Sequence, residues 1–382
     1  MLCYRRYFPP LSFLKTKETD VFALNILYPY TMDLETLLKK TSRSLYLSVQ
    51  MLPSTMKPAF SVAYLLCRYA DTIADTALLP AERRLHWICR FPRLLEEQYP
   101  DEIRQLTQEI EGGAENPYEK ILIQQLYPCL EAFNRIPAEQ KPFILEVARS
   151  VCEGMQIDLE HFPPQAPEGP TAFHSRQELE HYCRLMGGEP GRFWSQLIYH
   201  TTPVAASKDT FLELGQSVGD TLQIVNILRD LPQDLRLGRC YFPQEDLQKQ
   251  GLKPADLLDP ANSPRFEPIK QQWIEWGLNR LQAGLTYFQL LPKRQLGQRA
   301  AVAWPMLWAA DTLFAIYKEL NLLDIQKRVK IPRRTVYATL LLTPPIWLSN
   351  RCFTTWMKHK IRKFKKLSLT GNGPRTHLKI GS

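Results

Sequence analysis

The chain has 382 residues, 45% of them apolar and 23% charged, the composition of a globular protein large enough to enclose a substantial core or an internal cavity. Its formal charge of +9 suggests a nucleic-acid partner, but no acidic residue follows Asp324, and taking away the fourteen Lys and Arg beyond it leaves residues 1–326 at −5, so no nucleic-acid partner is expected. The eight cysteines form no C-x-x-C and, like the seven histidines, show no zinc-ligand spacing, which argues against a zinc site and for a reducing, cytoplasmic compartment.

Residues 1–32 hold basic residues but no sustained apolar stretch, so they read as a poorly organised extension and not as a secretory signal. Helical periodicity then dominates, and it predicts helices over 33–51, 56–77, 81–97, 100–111, 116–133, 138–160, 176–199, 207–231, 266–290 and 296–320. Proline-rich joints at 163–170 and 253–264 are too short to be interdomain linkers, so residues 33–334 read as one all-α domain. Residues 335–350 are uncharged and contain Leu340-Leu-Leu-Thr-Pro-Pro-Ile-Trp-Leu348. That run is shorter than the roughly 20 residues needed to span a bilayer and is broken by prolines. With basic groups on both flanks, residues 335–382 read either as a peripheral contact with an anionic membrane surface or as a final core helix followed by a solvated basic tail.

Two of the helices carry polar stripes. Tyr64, Arg68, Asp71 and Asp75 lie at i, i+4, i+7 and i+11 of an otherwise apolar segment, hence on one face. Like charges four residues apart cost a helix ~0.2–0.5 kcal/mol, which a shared cation relieves. A single such pair is ordinarily a solvated face. The second stripe is Gln223, Asn226, Asp230 and Asp234, set among Leu222, Ile224, Val225, Ile227 and Leu228. Buried polar groups without partners cost ~1–3 kcal/mol each, so this stripe predicts a wet, lined cavity. Pro232 removes a backbone donor between the two aspartates, which predicts a kink or restart of the helix before Asp234.

Four carboxylates of this kind can hold Mg²⁺ against a diphosphate, whose charge must be neutralised before it can leave. Arg43, Arg68, Arg229 and Arg239 could add bidentate hydrogen bonds to its oxygens, and the carbocation left behind would need an apolar pocket that excludes water.

Ser42-Arg43-Ser44, the Tyr64 to Asp75 stripe, Tyr182-Cys-Arg184, the Gln223 to Asp234 stripe and Gly238-Arg-x-Tyr-Phe-Pro243 follow one another in an order that resembles the squalene/phytoene synthase family, the head-to-head prenyl synthases, over about residues 35–335. The spacing is most similar to that of squalene synthases. The resemblance implies an isoprenoid-synthase-type helical bundle around a central apolar cavity. It implies a prenyltransferase that joins two farnesyl diphosphates into presqualene diphosphate, then reduces it to squalene with NADPH. Members making phytoene or dehydrosqualene lose a proton instead, without NADPH. Non-catalytic, membrane-associated members tend to lose the acid pairs, which are complete here.

Carried over in this way, Asp71, Asp75, Asn226, Asp230 and Asp234 would hold Mg²⁺, and Ser42, Arg43, Gln223, Arg229 and Arg239 would hold diphosphate. Tyr182, Tyr64 and Arg68 would form the catalytic set, the tyrosines steering the cation or proton. Lys330-Ile-Pro-Arg333-Arg334 resembles a basic stretch that helps bind NADPH in squalene synthases, giving Lys330 and Arg333 as cofactor residues. A monomer is expected. One departure stands out: Met186-Gly-Gly-Glu-Pro-Gly191 replaces the family's usual Val-Ala-Gly-x-Val-Gly. Glu189 and Pro190 therefore predict a charge and a helix break beside the cavity, with a consequence for the product.

Overall fold

The computed structural model describes residues 34–42, 44–76, 79–111, 126–162, 169–344 and 349–369; the predicted extension 1–32 and the first part of the predicted helix 116–133 lie outside them. The predicted segment 33–51 is two helices, α1 (Leu34–Ser42) and α2 (Ser44–Gln50). Next comes α3 (Lys57–Asp75), whose Pro58 occupies the first turn, where no amide donor is needed. It is followed by α4 (Ala81–Glu97), α5 (Pro100–Glu111), α6 (Leu126–Asn134) and α7 (Lys141–His161). The predicted helix 176–199 is α8 (Arg176–Cys183), a π-turn over Arg184–Gly188, and α9 (Glu189–Thr201). The remaining helices are α10 (Lys208–Arg236), α11 (Gln244–Lys249), α12 (Ser263–Leu290), α13 (Leu296–Lys318), α14 (Arg333–Leu341) and α15 (Asn350–Leu369).

The architecture is all-α, as expected. Helices α3 and α4 pack on α7, while α10 packs on α12 and α13; α9 and the π-turn touch both α7 and α10 and so join the two groups. Among the described residues the sole sheet is a parallel pair of two-residue strands, β1 (Thr171–Ala172) and β2 (Arg239–Cys240), with Thr171 opposite Arg239.

Two expectations are corrected. Pro232 neither kinks nor restarts its helix: α10 runs unbroken through it, because a 29-residue helix clamped by α9, α12 and α13 tolerates one missing backbone bond. Pro190 does not break a helix either. It sits in the first turn of α9, after the π-turn, where a missing N–H costs nothing. In the described part of 335–382, Phe353, Met357, Ile361 and Phe364 of α15 are buried. The Phe353 ring lies 3.9 Å from that of Phe288, and Lys360 pairs with Asp311 at 2.6 Å, so α15 covers α12 and α13. Helix α13 is apolar and long enough to cross a membrane, yet 78% of its apolar window is buried in the core.

Candidate active site

A cleft of about 650 Å³, open solvent at its mouth included, lies between the two helical groups. From α3 it receives Arg68, Asp71, Ala74 and Asp75, and from α10 Gln223, Asn226, Ile227, Asp230 and Asp234. Met155, Asp158 and Leu159 of α7 line a third side, with Tyr182, Met186, Arg239 and Tyr241 completing it. The two acid stripes, some 150 residues apart in sequence, are thus opposite walls of one space.

Each wall carries its own arginine. Arg68 Nη1 donates to Asp71 Oδ2 at 3.1 Å; burial opposes the Arg68 charge, but Asp71, Tyr64 and Asp75 together outweigh it and leave the guanidinium pKa raised. On α10, Arg229 Nε donates to Asp230 Oδ1 at 2.9 Å. On the α10 wall, Gln223 Oε1 and both amide atoms of Asn226 are buried without a hydrogen-bond partner in the protein. Such groups are costly unless something else satisfies them.

This donor set suits Mg²⁺, which prefers hard oxygens and is commonly held by one or two carboxylates, with water and substrate phosphate filling the other positions. Among the described residues no three ligating side chains converge on one point, so neither wall forms a complete cage. Oxygens from an anionic ligand would have to close the coordination.

The sequence-predicted residues are distributed unevenly. Arg68, Asp71, Asp75, Tyr182, Gln223, Asn226, Asp230, Asp234 and Arg239 meet in the cleft. Tyr64 does not line it; its hydroxyl donates to the Thr41 carbonyl at 2.8 Å and ties α3 to α1. Arg43 lies outside the described residues, as does the Ser42 side chain. Arg229 lines a second cavity of about 970 Å³, open space included, on the other side of α10. Lys330, Ile331, Val336 and Trp308 also line that cavity, and Asn226 belongs to both. Arg333 is exposed at the start of α14 and is not part of that lining.

Gly238, at φ +80°, turns the chain back after α10 in a conformation that favours glycine. Thr171 N then donates to the Gly238 carbonyl at 3.0 Å. The β1–β2 pair that follows holds Arg239 at the cleft edge and Tyr241 beneath Tyr182, with ring centroids 4.9 Å apart and stacked. Both phenols donate to one carboxylate: Tyr182 Oη to Asp158 Oδ2 at 3.0 Å and Tyr241 Oη to Asp158 Oδ1 at 2.9 Å.

Asp158 escaped sequence reasoning because no second acid stands four residues from it in α7, the pairing that marked the other stripes. Asp158→Asn keeps its shape but turns an acceptor into a donor, leaving one phenol without its partner. At ~1–3 kcal/mol for a broken buried hydrogen bond, kcat is expected to fall about tenfold to hundredfold with the circular dichroism spectrum unchanged. Wild-type kcat in this variant would make the triad purely structural.

In the Met186 to Gly191 departure Gly188 and Gly191 match the family's glycines while Gly187 stands in place of its alanine, and the role of these glycines is contact. A Cβ on Gly187 would collide with the Gly219 carbonyl, and one on Gly191 with that of Gly215. The π-turn and α9 therefore lie backbone to backbone on α10, which delivers Met186 to the cleft wall. Glu189 does not reach the cleft; it accepts from Gln216 Nε2 at 2.7 Å, and burial pushes its carboxyl pKa up against the pull of Arg192 and Arg184.

The profile of the family described as squalene/phytoene synthase matches residues 38–335. The chain belongs to that family. Among curated proteins it is 27% identical, over 62% of its length, to the bifunctional lycopene cyclase/phytoene synthase of Leptosphaeria maculans, of which it spans 38%. It is also 27% identical, over 60% of its length, to the presqualene diphosphate synthase of Zymomonas mobilis, of which the match spans 65%. The chain therefore spans well under half of the first of these relatives. Among solved structures it resembles a ligand complex of TcSQS, with a TM-score of 0.71 at 18% identity over 86% of this chain and 89% of the other. A dehydrosqualene synthase bound to a ligand gives 0.58 at 19%, over 82% and 94%. At these identities the structural likeness speaks for the fold.

Proposed function

We propose that this family member joins two farnesyl diphosphates head to head, with Mg²⁺, to presqualene diphosphate, and reduces that to squalene with NADPH. The observation carrying this reading is Asn226, an unpartnered amide that belongs at once to the acid-walled cleft and to the second cavity, where Arg229 and Lys330 supply positive charge. Two adjoining spaces suit a two-stage reaction: a polar one where diphosphate leaves, and a second where the reductant approaches.

In this reading Asp71, Asp75, Asp230, Asp234 and Asn226 would hold Mg²⁺, which neutralises the diphosphate as it departs. Arg68 and Arg239 would orient the phosphate oxygens, and Gln223, whose side-chain oxygen has no partner in the protein, would line the site beside them. Met155, Leu159, Met186 and Ile227 would keep water from the allylic cation. Tyr182, fixed by Asp158 and stacked on Tyr241, would present its ring to the cation. Lys330 would meet the phosphate of NADPH from the rim of the second cavity.

A second reading is phytoene or dehydrosqualene synthesis, without reductant. It is favoured by the curated relatives named as phytoene synthases. Purified protein incubated with farnesyl diphosphate and Mg²⁺ is expected to yield squalene only when NADPH is added and to stop at presqualene diphosphate without it. Phytoene from geranylgeranyl diphosphate, or dehydrosqualene whether or not NADPH is present, would establish the second reading instead.

A further inference from the structure

One buried carboxylate of α10 lies outside the cleft. Asp220, three residues before Gln223, is 5% exposed and does not line that space. Its side chain rests on the π-turn, since a Cβ on Gly188 would collide with Asp220 Oδ1. That oxygen is buried without a hydrogen-bond partner in the protein, while Oδ2 accepts from Arg280 Nε of α12 at 3.3 Å.

Arg280 is the centre of a brace. Its guanidinium carbon lies 3.5 Å from the centroid of the Trp276 ring, and its Nη2 stands 3.8 Å from Glu180 Oε2. Trp276 Nε1 donates to the other Glu180 oxygen at 2.9 Å. The brace therefore ties α10 and α12 to α8 within two residues of Tyr182, and Asp220 presses on the turn that carries Met186. Burial pushes the Asp220 carboxyl pKa from its ordinary 3.8 to about 6, against the pull of Arg280 and Arg184, and Glu189 adds to the rise. The Cys183 thiol lies near as well, its own pKa pushed well up by burial. Between those two pH values the folded protein keeps a proton that the unfolded chain has released, so stability falls as pH rises through that window. At neutral pH the ionised carboxylate thus costs stability, a cost that a neutral amide of the same shape avoids.

We propose that Asp220 is a positioning residue for the condensation, its carboxylate acting through Arg280 to hold Tyr182 and Met186 at the cleft. The pair is mostly shielded from water, with side chains 8% and 27% exposed, so solvent screens it little. When Asp220 takes up a proton, Arg280 keeps only Glu180 and the Trp276 ring, and this tie between α10 and α12 is lost. The helices remain packed, because their apolar contacts do not depend on the charge. The cleft is more sensitive, since a displacement of about 1 Å at a reacting centre can cost a hundredfold in rate. The inference rests on Tyr182 facing the allylic cation, as in the proposed function, and not on which hydrocarbon is finally made.

The test compares wild type with Asp220→Asn by diphosphate release at saturating Mg²⁺, from farnesyl and from geranylgeranyl diphosphate, at about pH 5 and about pH 8. The ratio of wild-type to variant kcat cancels the titration of substrate and of other groups. It is expected to be close to one at the lower pH, where Asp220 is nearly as neutral as the amide, and ~tenfold to hundredfold at the higher. KM should stay within about twofold, because substrate binding is not what the brace supplies. At the higher pH the variant is expected to melt no lower than wild type, since it no longer buries a charge. Equal ratios at both pH values, or wild-type kcat in the variant at the higher one, overturn the proposal. So does a variant whose loss of kcat comes with a lower melting temperature, which would make Asp220 merely structural. A wild type that makes phytoene in place of squalene overturns the proposed product alone, and the ratio is then read with geranylgeranyl diphosphate.

Discussion

Asp71→Asn and Asp230→Asn are each expected to lower kcat by at least ~10³-fold while the protein stays folded. The two walls contribute separately, because no complete metal cage exists on either side among the described residues. Losing one carboxylate would therefore leave the cation too weakly held on one wall to neutralise a departing diphosphate. A deficit of ~4 kcal/mol, the upper end of what one preorganised electrostatic contact supplies, is about a thousandfold in rate.

Stability should barely move, for opposing reasons. Asp71 loses its 3.1 Å pair with Arg68, but its repulsion from Asp75 one turn on is relieved, and each effect is within ~0.5 kcal/mol. Steady-state kinetics across a Mg²⁺ titration check the assignment. A higher Mg²⁺ requirement is expected along with the lost kcat, and wild-type kcat in both variants would refute the metal role.

Gly219→Ala is expected to be strongly destabilising. The new Cβ would collide with the carbonyl of Gly187, which is backbone and cannot rotate away. The π-turn and α10 must separate, at an overpacking cost of ~3 kcal/mol, and Met186 and Tyr182, on or just before that turn, must shift from the cleft. Gly277→Ala is the control. Its nearest neighbour is the Ile224 Cγ2 methyl at 3.0 Å, a side chain that can yield, and alanine gains up to ~1 kcal/mol of helix propensity, so near-neutrality is expected. Thermal melts of the two variants should differ by several degrees. Equal melting temperatures would mean that the close approach of the two backbones does not constrain the fold.

Both polar stripes were legible in the sequence because their spacing is a local property: i, i+4, i+7 and i+11 share a helix face wherever the helix goes. The surroundings were legible too, since apolar neighbours on every other face announced burial. What failed was inference from single residues whose effect depends on distant partners. Pro190 and Pro232 read as breaks by local rules, yet one begins a helix and the other is carried through by the packing of α10. The tie of the Tyr64 hydroxyl to the Thr41 carbonyl was not legible either, since it joins α3 to α1. Arg229 sits one residue from Asp230 and, because neighbours on a helix point about 100° apart, lines a different cavity.

By itself, then, the sequence determined the all-α class, the two acid stripes and the family they belong to, all of which rest on period and order along the chain. The tertiary structure alone decided that the stripes face one another across a cleft, that Asp158 joins Tyr182 and Tyr241 there, and that the glycines of the departure serve backbone contact with α10. It also decided that α15 belongs to the core while α14 keeps an apolar face in the open. The division has one physical cause: a helix period is set by bonds four residues apart, whereas these pairings join residues tens to hundreds of positions apart, and only the packing of the helices brings them within reach.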